Sequence, residues 1–260
     1  MAEVLVLDSA VRAGEFVAAH IAREVSKAPQ FTLGVATGST PLPVYEALRA
    51  RAAGGVDFSH MAAFALDEYV GLPKGHPQSY RAVVDREVAA PLGLRADSVH
   101  VPDGSLAGIE TAGERYEEAL TVHGGVDLQL LGIGRTGHLG FNEPGSSFGS
   151  LTRVKTLTEQ TRIDNARFFD TLDDVPIHCV TQGLGTILRA RHLVLLAFGE
   201  GKAAAIAAAV EGPVTASMPG SAIQLHPHVT VVLDPAAASG LEYGDYYRLA
   251  QERKPNWQGI

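Results

Sequence analysis

Apolar residues fall into short, almost uninterrupted runs along this chain, separated by longer stretches where apolar and polar positions recur with helical spacing. The runs predict strands at Val4–Leu7, Phe31–Ala36, Ala62–Leu66, Val99–Val101, Val126–Gly132, His192–Phe198 and Val229–Leu233. The intervening patterns predict helices over Arg12–Val25, Leu42–Arg51, Tyr80–Ala90, Ile109–Val122 and Lys202–Val210. Strands that are apolar nearly throughout need cover on both faces, and strands that alternate with helices join in parallel. The expected fold is therefore α/β: a doubly wound, mostly parallel, Rossmann-like sheet with helices on both faces. Such sheets bind ligands beyond the carboxyl ends of their strands, which directs attention to the loops after Ala36, Leu66, Gly132 and Phe198. Without a repeat or a linker, residues 1–260 are expected to form one domain. The polar segment 251–260, with Pro255 and Trp257, either frays or docks on a neighbouring element.

Composition narrows the partners. The chain has 260 residues, enough to bury a large core without a disulfide or metal staple. Hydrophobic residues make up 46% and charged residues 19%, the balance of a folded chain rather than a disordered one. With 21 Lys and Arg against 29 Asp and Glu, the net charge of −8 speaks against nucleic acid and anionic membranes as partners. The single cysteine, Cys179, cannot form an intramolecular disulfide, and the opening MAEVLVLDSA lacks the basic and apolar regions of a secretory signal. A cytoplasmic protein is expected.

Three loops carry candidate chemistry. After the second predicted strand, Thr37-Gly38-Ser39-Thr40-Pro41 offers a flexible glycine, two hydroxyls and a helix N-terminus, a combination suited to phosphate but also to an ordinary capped helix start. After the third, Asp67 and Glu68 are adjacent carboxylates that cannot both point inward; one can face the cleft as a base while the other is anchored elsewhere, although a solvated loop pair is the commoner arrangement of adjacent acids. After the fifth, five glycines (132, 134, 137, 140 and 145) surround His138 and Glu143. Gly132, Gly134 and Gly137 spell a dinucleotide-type spacing, but Asn142, Pro144 and Gly145 break the helix that such a site requires, so no nicotinamide cofactor is expected. The spacing of His138 and Glu143 is not that of a helical metal site, whereas an imidazole oriented by a carboxylate suits general acid–base work. Lys202, in the first turn of a helix, opposes the macrodipole by a few tenths to about 1 kcal/mol, a conflict that an anionic ligand relieves. Residues 151–170 hold four cations, Arg153, Lys155, Arg162 and Arg167, against three carboxylates. Cys179, in an apolar stretch, is expected to be a buried structural thiol.

Together these pieces resemble the glucosamine-6-phosphate deaminase family, also described as isomerases. The resemblance runs in order through Gly38–Pro41, Leu66–Pro73, Gly137–Pro144, Arg153–Thr156, Thr161–Phe169, Ala209–Gly212 and Gln224–Pro227. It implies conversion of glucosamine 6-phosphate and water to fructose 6-phosphate and ammonia, in amino-sugar catabolism, with neither redox cofactor nor required metal. By the same resemblance Asp67 moves a proton from C2 to C1, His138 assists ring opening, and Glu143 orients the imidazole. The phosphate is held by Gly38, Ser39 and Thr40 with Arg167 and Lys202. Thr136 departs from the pattern: better-known members carry an acidic or amide residue there, so orientation of His138 is expected to rest on Glu143, with an altered pH profile of ring opening. Some members are hexamers activated by an N-acetylated sugar phosphate, and Ser146, Ser147, Arg153, Lys155 and Thr156 resemble that effector site, although Gly145 and Leu151 depart from it. The chain itself is expected to be a monomer or a homo-oligomer up to the hexamer. Two alternatives are a 6-phosphogluconolactonase-like hydrolase, whose family typically has Arg where Tyr69 stands and lacks Asn142-Glu143-Pro144, and a non-catalytic sugar-phosphate sensor.

Overall fold

A computed structural model describes residues 2–255 and 258–260. Ten strands form two sheets: β1 (Glu3–Val6), β2 (Phe31–Val35), β3 (Met61–Ala65), β4 (Asp67–Tyr69), β5 (Val99–His100), β6 (Leu128–Gly132), β7 (Arg153–Thr156), β8 (His178–Thr181), β9 (His192–Ala197) and β10 (Val229–Leu233). The seven predicted strands all exist, within a few residues of their expected ends, and together make the large parallel sheet in the order β1-β10-β9-β6-β2-β3-β5. Every residue of β2, β9 and β10 is buried, as strands covered on both faces must be.

The helices are α1 (Ala10–Lys27), α2 (Leu42–Ala53), α3 (Tyr80–Val84), α4 (Ala90–Leu92), α5 (Ala112–Val122), α6 (Glu159–Asn165), α7 (Leu184–Ile187), α8 (Ala203–Val210) and α9 (Gly244–Glu252). One face of the sheet packs on α1 and α2 through Val17, Ile21, Val44 and Leu48, against Leu33, Leu130 and Val194. The other packs on α5, α7 and α8 through Leu120, Ile187 and Ile206, against Leu131, Leu195 and Val231. The continuous helix expected over Tyr80–Ala90 is divided, because a π-helical stretch at Asp85–Ala89 separates α3 from α4.

The three-stranded antiparallel sheet, in the order β4-β8-β7, was not expected. The chain leaves the large sheet at Ala65 and enters the small one at Asp67, so Leu66 alone joins the two. Gln182 closes that joint: its backbone N–H donates to the Leu66 carbonyl at 2.7 Å and its side-chain amide to the Ala65 carbonyl at 3.0 Å.

Described residues of the segment 251–260 touch neighbouring elements. Gln251, in the last turn of α9, accepts from the Val6 N–H at 3.0 Å, Lys254 pairs with Glu3, and Ile260 packs against the core beside α1. Trp257 lies outside the described residues.

Candidate active site

Asp67 opens the small sheet at the carboxyl end of β3, only 5% exposed. Burial first, and the neighbouring Glu68 second, push its carboxyl from the ordinary 3.8 up to about 8, with no hydrogen bond pulling it back. Glu68 is the anchored partner that adjacency requires. It accepts from the backbone N–H groups of Tyr69 and Tyr80 at 2.8 Å and of Arg81 at 2.9 Å, holding the first turn of α3 against β4. Thus Glu68 is anchored by three backbone donors, and Asp67 is not.

Gly140 sits between Asp67 and His138. Its φ of +53° lies in the left-handed region, and a Cβ there would come within 3.2 Å of Asp67 Oδ2 and 3.1 Å of the Thr181 hydroxyl. The Gly140 carbonyl accepts from His138 Nδ1 at 2.7 Å. A carbonyl only accepts, so Nδ1 carries a proton, and in the imidazole form of that tautomer the lone pair lies on Nε2. The imidazole lies over the Cα of Gly134, where a Cβ would fall 1.9 Å from Nε2. The loop closes on itself through Gly134 N–H to the His138 carbonyl at 3.0 Å. Asn142, fully buried, ties it to the end of β8 by donating to the Leu139 and Gln182 carbonyls at 2.9 and 2.7 Å.

Glu143 does not orient His138 in this geometry, and neither does Thr136. The Glu143 carboxylate, 5% exposed, is held by threonines instead: Thr136 Oγ1 donates to Oε2 at 3.2 Å, Thr158 Oγ1 donates to Oε1 at 3.1 Å, and Thr161 Oγ1 donates to the same Oε1. The expectation fails because Gly140 turns its carbonyl toward Nδ1 and takes the hydrogen bond that Glu143 was expected to receive.

At the carboxyl ends of β2, β6 and β9 lies a second cluster. Lys202, half-buried just before α8, donates to the Ile133 carbonyl at 2.7 Å. Burial lowers its pKa, and the nearby charges of Arg135 and Arg167 lower it further, opposed by Asp164. The charges of Arg135 and Arg167 therefore act on Lys202, an arrangement that a bound anion would stabilise. Thr40 packs beside Gly132, and Gly38 takes φ +85° at the exposed tip of its loop. The expected capping alternative is absent: α2 begins after Pro41 with no side-chain cap bond, which leaves the hydroxyls of Ser39 and Thr40 uncommitted to the helix. Arg135 went unassigned in the sequence; a lone charge inside a glycine-rich loop after a strand was the available signal.

The other predicted residues scatter. Arg153 and Lys155 alternate with Thr156 on β7, so the two cations share a face that Thr156 does not. Ser146 donates to the Glu143 carbonyl at 2.7 Å, and Ser147 accepts from the Gly149 N–H at 3.2 Å. Cys179 is fully buried and its thiol is pushed up by burial. A cavity of about 670 Å³ lies at the amino ends of the large-sheet strands, lined by His20, Arg23, Asp127 and His192, and holds none of the predicted site residues. Among the described residues no three His, Cys, Asp or Glu side chains come together as metal ligands, and no helix is long and apolar enough to cross a membrane.

Comparison with known proteins fits this geometry. The family described as glucosamine-6-phosphate isomerases/6-phosphogluconolactonase matches residues 8–232. A glucosamine-6-phosphate deaminase from Streptomyces avermitilis is 59% identical over 260 residues, covering 99% of this chain and all of the relative. One from Pseudarthrobacter chlorophenolicus is 55% identical over 258 residues, again covering 99% and 100%. Among solved structures, a monomeric glucosamine-6-phosphate deaminase superposes with a TM-score of 0.88 at 37% identity, covering 92% of this chain and 99% of that one.

Proposed function

The chain belongs to the family of glucosamine-6-phosphate isomerases and 6-phosphogluconolactonases, and we propose that its site converts glucosamine 6-phosphate and water to fructose 6-phosphate and ammonia. The observation that carries this reading is the buried Asp67 carboxylate, raised to about 8, with Gly140 between it and the Nδ1 edge of His138. Lactone hydrolysis has no need of a base at C2, whereas aldose–ketose isomerisation depends on one. Tyr69, where the lactonase pattern has Arg, agrees.

The residues supply the steps as follows. His138 Nε2 accepts the O1 proton of the closed sugar and returns it to O5, opening the ring. Asp67 removes the C2 proton as the C1 carbonyl oxygen takes a proton from the C2 ammonium, giving an enolamine, and then delivers the proton to C1. The resulting imine at C2 adds water and expels ammonia, leaving the C2 ketone. Lys202, Arg167, Arg135 and the 38–40 loop hold the phosphate at the far end of the open chain, so remote binding energy orients the reacting carbons. All of these groups come from one chain, so the reading needs no second subunit for catalysis, and the lone cysteine suits a cytoplasmic setting. On the resemblance alone, Ser146, Ser147, Arg153, Lys155 and Thr156 are proposed as effector-binding residues.

Incubation with glucosamine 6-phosphate should release ammonia and fructose 6-phosphate in equal amounts, with no cofactor added. Only ionised Asp67 is a base, so kcat/KM should climb as pH rises through about 8. Absence of ammonia at every pH, or hydrolysis of 6-phosphogluconolactone in its place, overturns the reading.

A further inference from the structure

The threonines around Glu143 do more than satisfy a buried carboxylate. They come from two separate parts of the chain: Thr136 from the loop of His138, Thr158 and Thr161 from the start of α6. Thr158 is the N-cap of α6 and accepts from the Thr161 N–H at 3.2 Å, so the same two side chains both begin the helix and grip Glu143. Helix α6 runs for only two turns before the 3-10 turn Ala166–Phe168, which carries Arg167. At its other flank Arg162 donates to the Val175 carbonyl at 3.2 Å and the Leu172 carbonyl at 2.9 Å, so the helix is fixed at its start and along its side. Glu143 is therefore the point where the His138 loop is fastened to the segment that presents a phosphate-binding cation.

We propose that Thr161, assisted by Thr158, is a positioning residue: by holding Glu143 it sets Arg167 relative to His138, so that phosphate capture and ring opening share one geometry. This rests on the reading of the site given above. A threonine hydroxyl suits the task because it donates to the carboxylate without bringing a charge of its own. Glu143, in turn, acts on phosphate binding without touching phosphate.

The test measures steady-state turnover of glucosamine 6-phosphate, together with competitive inhibition by inorganic phosphate, for the unaltered enzyme, Thr161→Val, Thr161→Ser and Glu143→Gln. Thr161→Val should weaken inhibition by inorganic phosphate and raise KM about tenfold while also lowering kcat, as misplacement of a clamp does. Thr161→Ser, which keeps the hydroxyl, should restore most of both. Glu143→Gln should weaken phosphate inhibition as well, and in an Arg167→Ala background Thr161→Val should have little further effect on it. Unchanged phosphate inhibition in both Thr161→Val and Glu143→Gln overturns the proposal while leaving the deaminase reading intact. A loss of kcat with KM and phosphate inhibition unmoved assigns Thr161 a merely structural role and overturns it too. Should Thr161→Val fail to fold, Glu143→Gln and the serine variant decide. Should the unaltered enzyme release no ammonia, the deaminase reading fails, and calorimetric titration of inorganic phosphate into the same variants decides the coupling by itself.

Discussion

The two sheets share Leu66 as a hinge yet are built to opposite rules. In the large sheet, β9 reads His-Leu-Val-Leu-Leu-Ala and is buried at every position, as is its neighbour β10, and stability comes from apolar area withdrawn from water on both faces. In the small sheet, β4 reads Asp-Glu-Tyr and is equally buried, but what it buries are carboxylates. Glu68 has three backbone donors to offset the cost and Asp67 has none. The large sheet is thus a platform, and the small one is where stability is given up for a buried carboxyl of raised pKa.

The sharpest way to separate the two is Asp67→Asn. Loss of the base should cut kcat by roughly 10²–10⁴. The folded pKa of Asp67 is raised above its ordinary 3.8, so the stability that its neutral form contributes is full below 3.8 and lost as pH rises through about 8. The amide carries no charge to bury, and the variant should therefore melt at the same temperature as the native enzyme or higher at pH 8–9. A fall in melting temperature alongside the loss of turnover would put Asp67 in the platform rather than the site. The mirror experiment is Leu33→Ala in the middle of β2, where the side chain is fully buried between α1 and α2. It should cost about 2–5 kcal/mol of stability. Turnover per folded molecule, measured well below the melting temperature, should stay within about twofold. If it drops by orders of magnitude, the platform and the site are not separable in the way the two sheets suggest.

The same contrast explains what the sequence makes legible. All seven large-sheet strands can be placed because a run such as Val229–Leu233 is apolar whatever it pairs with. The small sheet cannot, since β4 is three residues, two of them acidic, and exists only because Asp67 meets Thr181 across 113 intervening positions of chain. At the site, residue types and their loops are visible: a base after β3, an imidazole among glycines, a lysine opposing a helix dipole. The partners are not. His138 bonds a carbonyl two residues away because Gly140 adopts positive φ, which no pattern of side chains announces. Thr158 and Thr161 lie 15 and 18 residues beyond Glu143, and their only trace is a Thr-x-x-Thr at a helix start, which reads as ordinary capping.

The smallest effect comes from the platform's own titratable groups. His20 of α1 and His192 at the start of β9 are both buried, with pKa values lowered from 6.5 to about 4 and about 3. For His20 the cause is burial and then Arg23, whose guanidinium stands 2.8 Å from Nδ1 and can only donate, with Glu24 opposing. For His192 it is burial and then His228, stacked on it at 3.7 Å between ring centroids. Because the folded values are depressed, the unfolded chain binds more protons between about 4 and 6.5, and stability is lost as pH falls through that window. Melting temperature should decline from pH 7 to pH 5, and His20→Gln, which cannot take up the proton, should flatten the decline. This acid loss originates at the end of the large sheet opposite Asp67, so KM at pH 7 should be the same in the variant. An unchanged slope with an altered KM would show that the far end of the platform reports to the site after all.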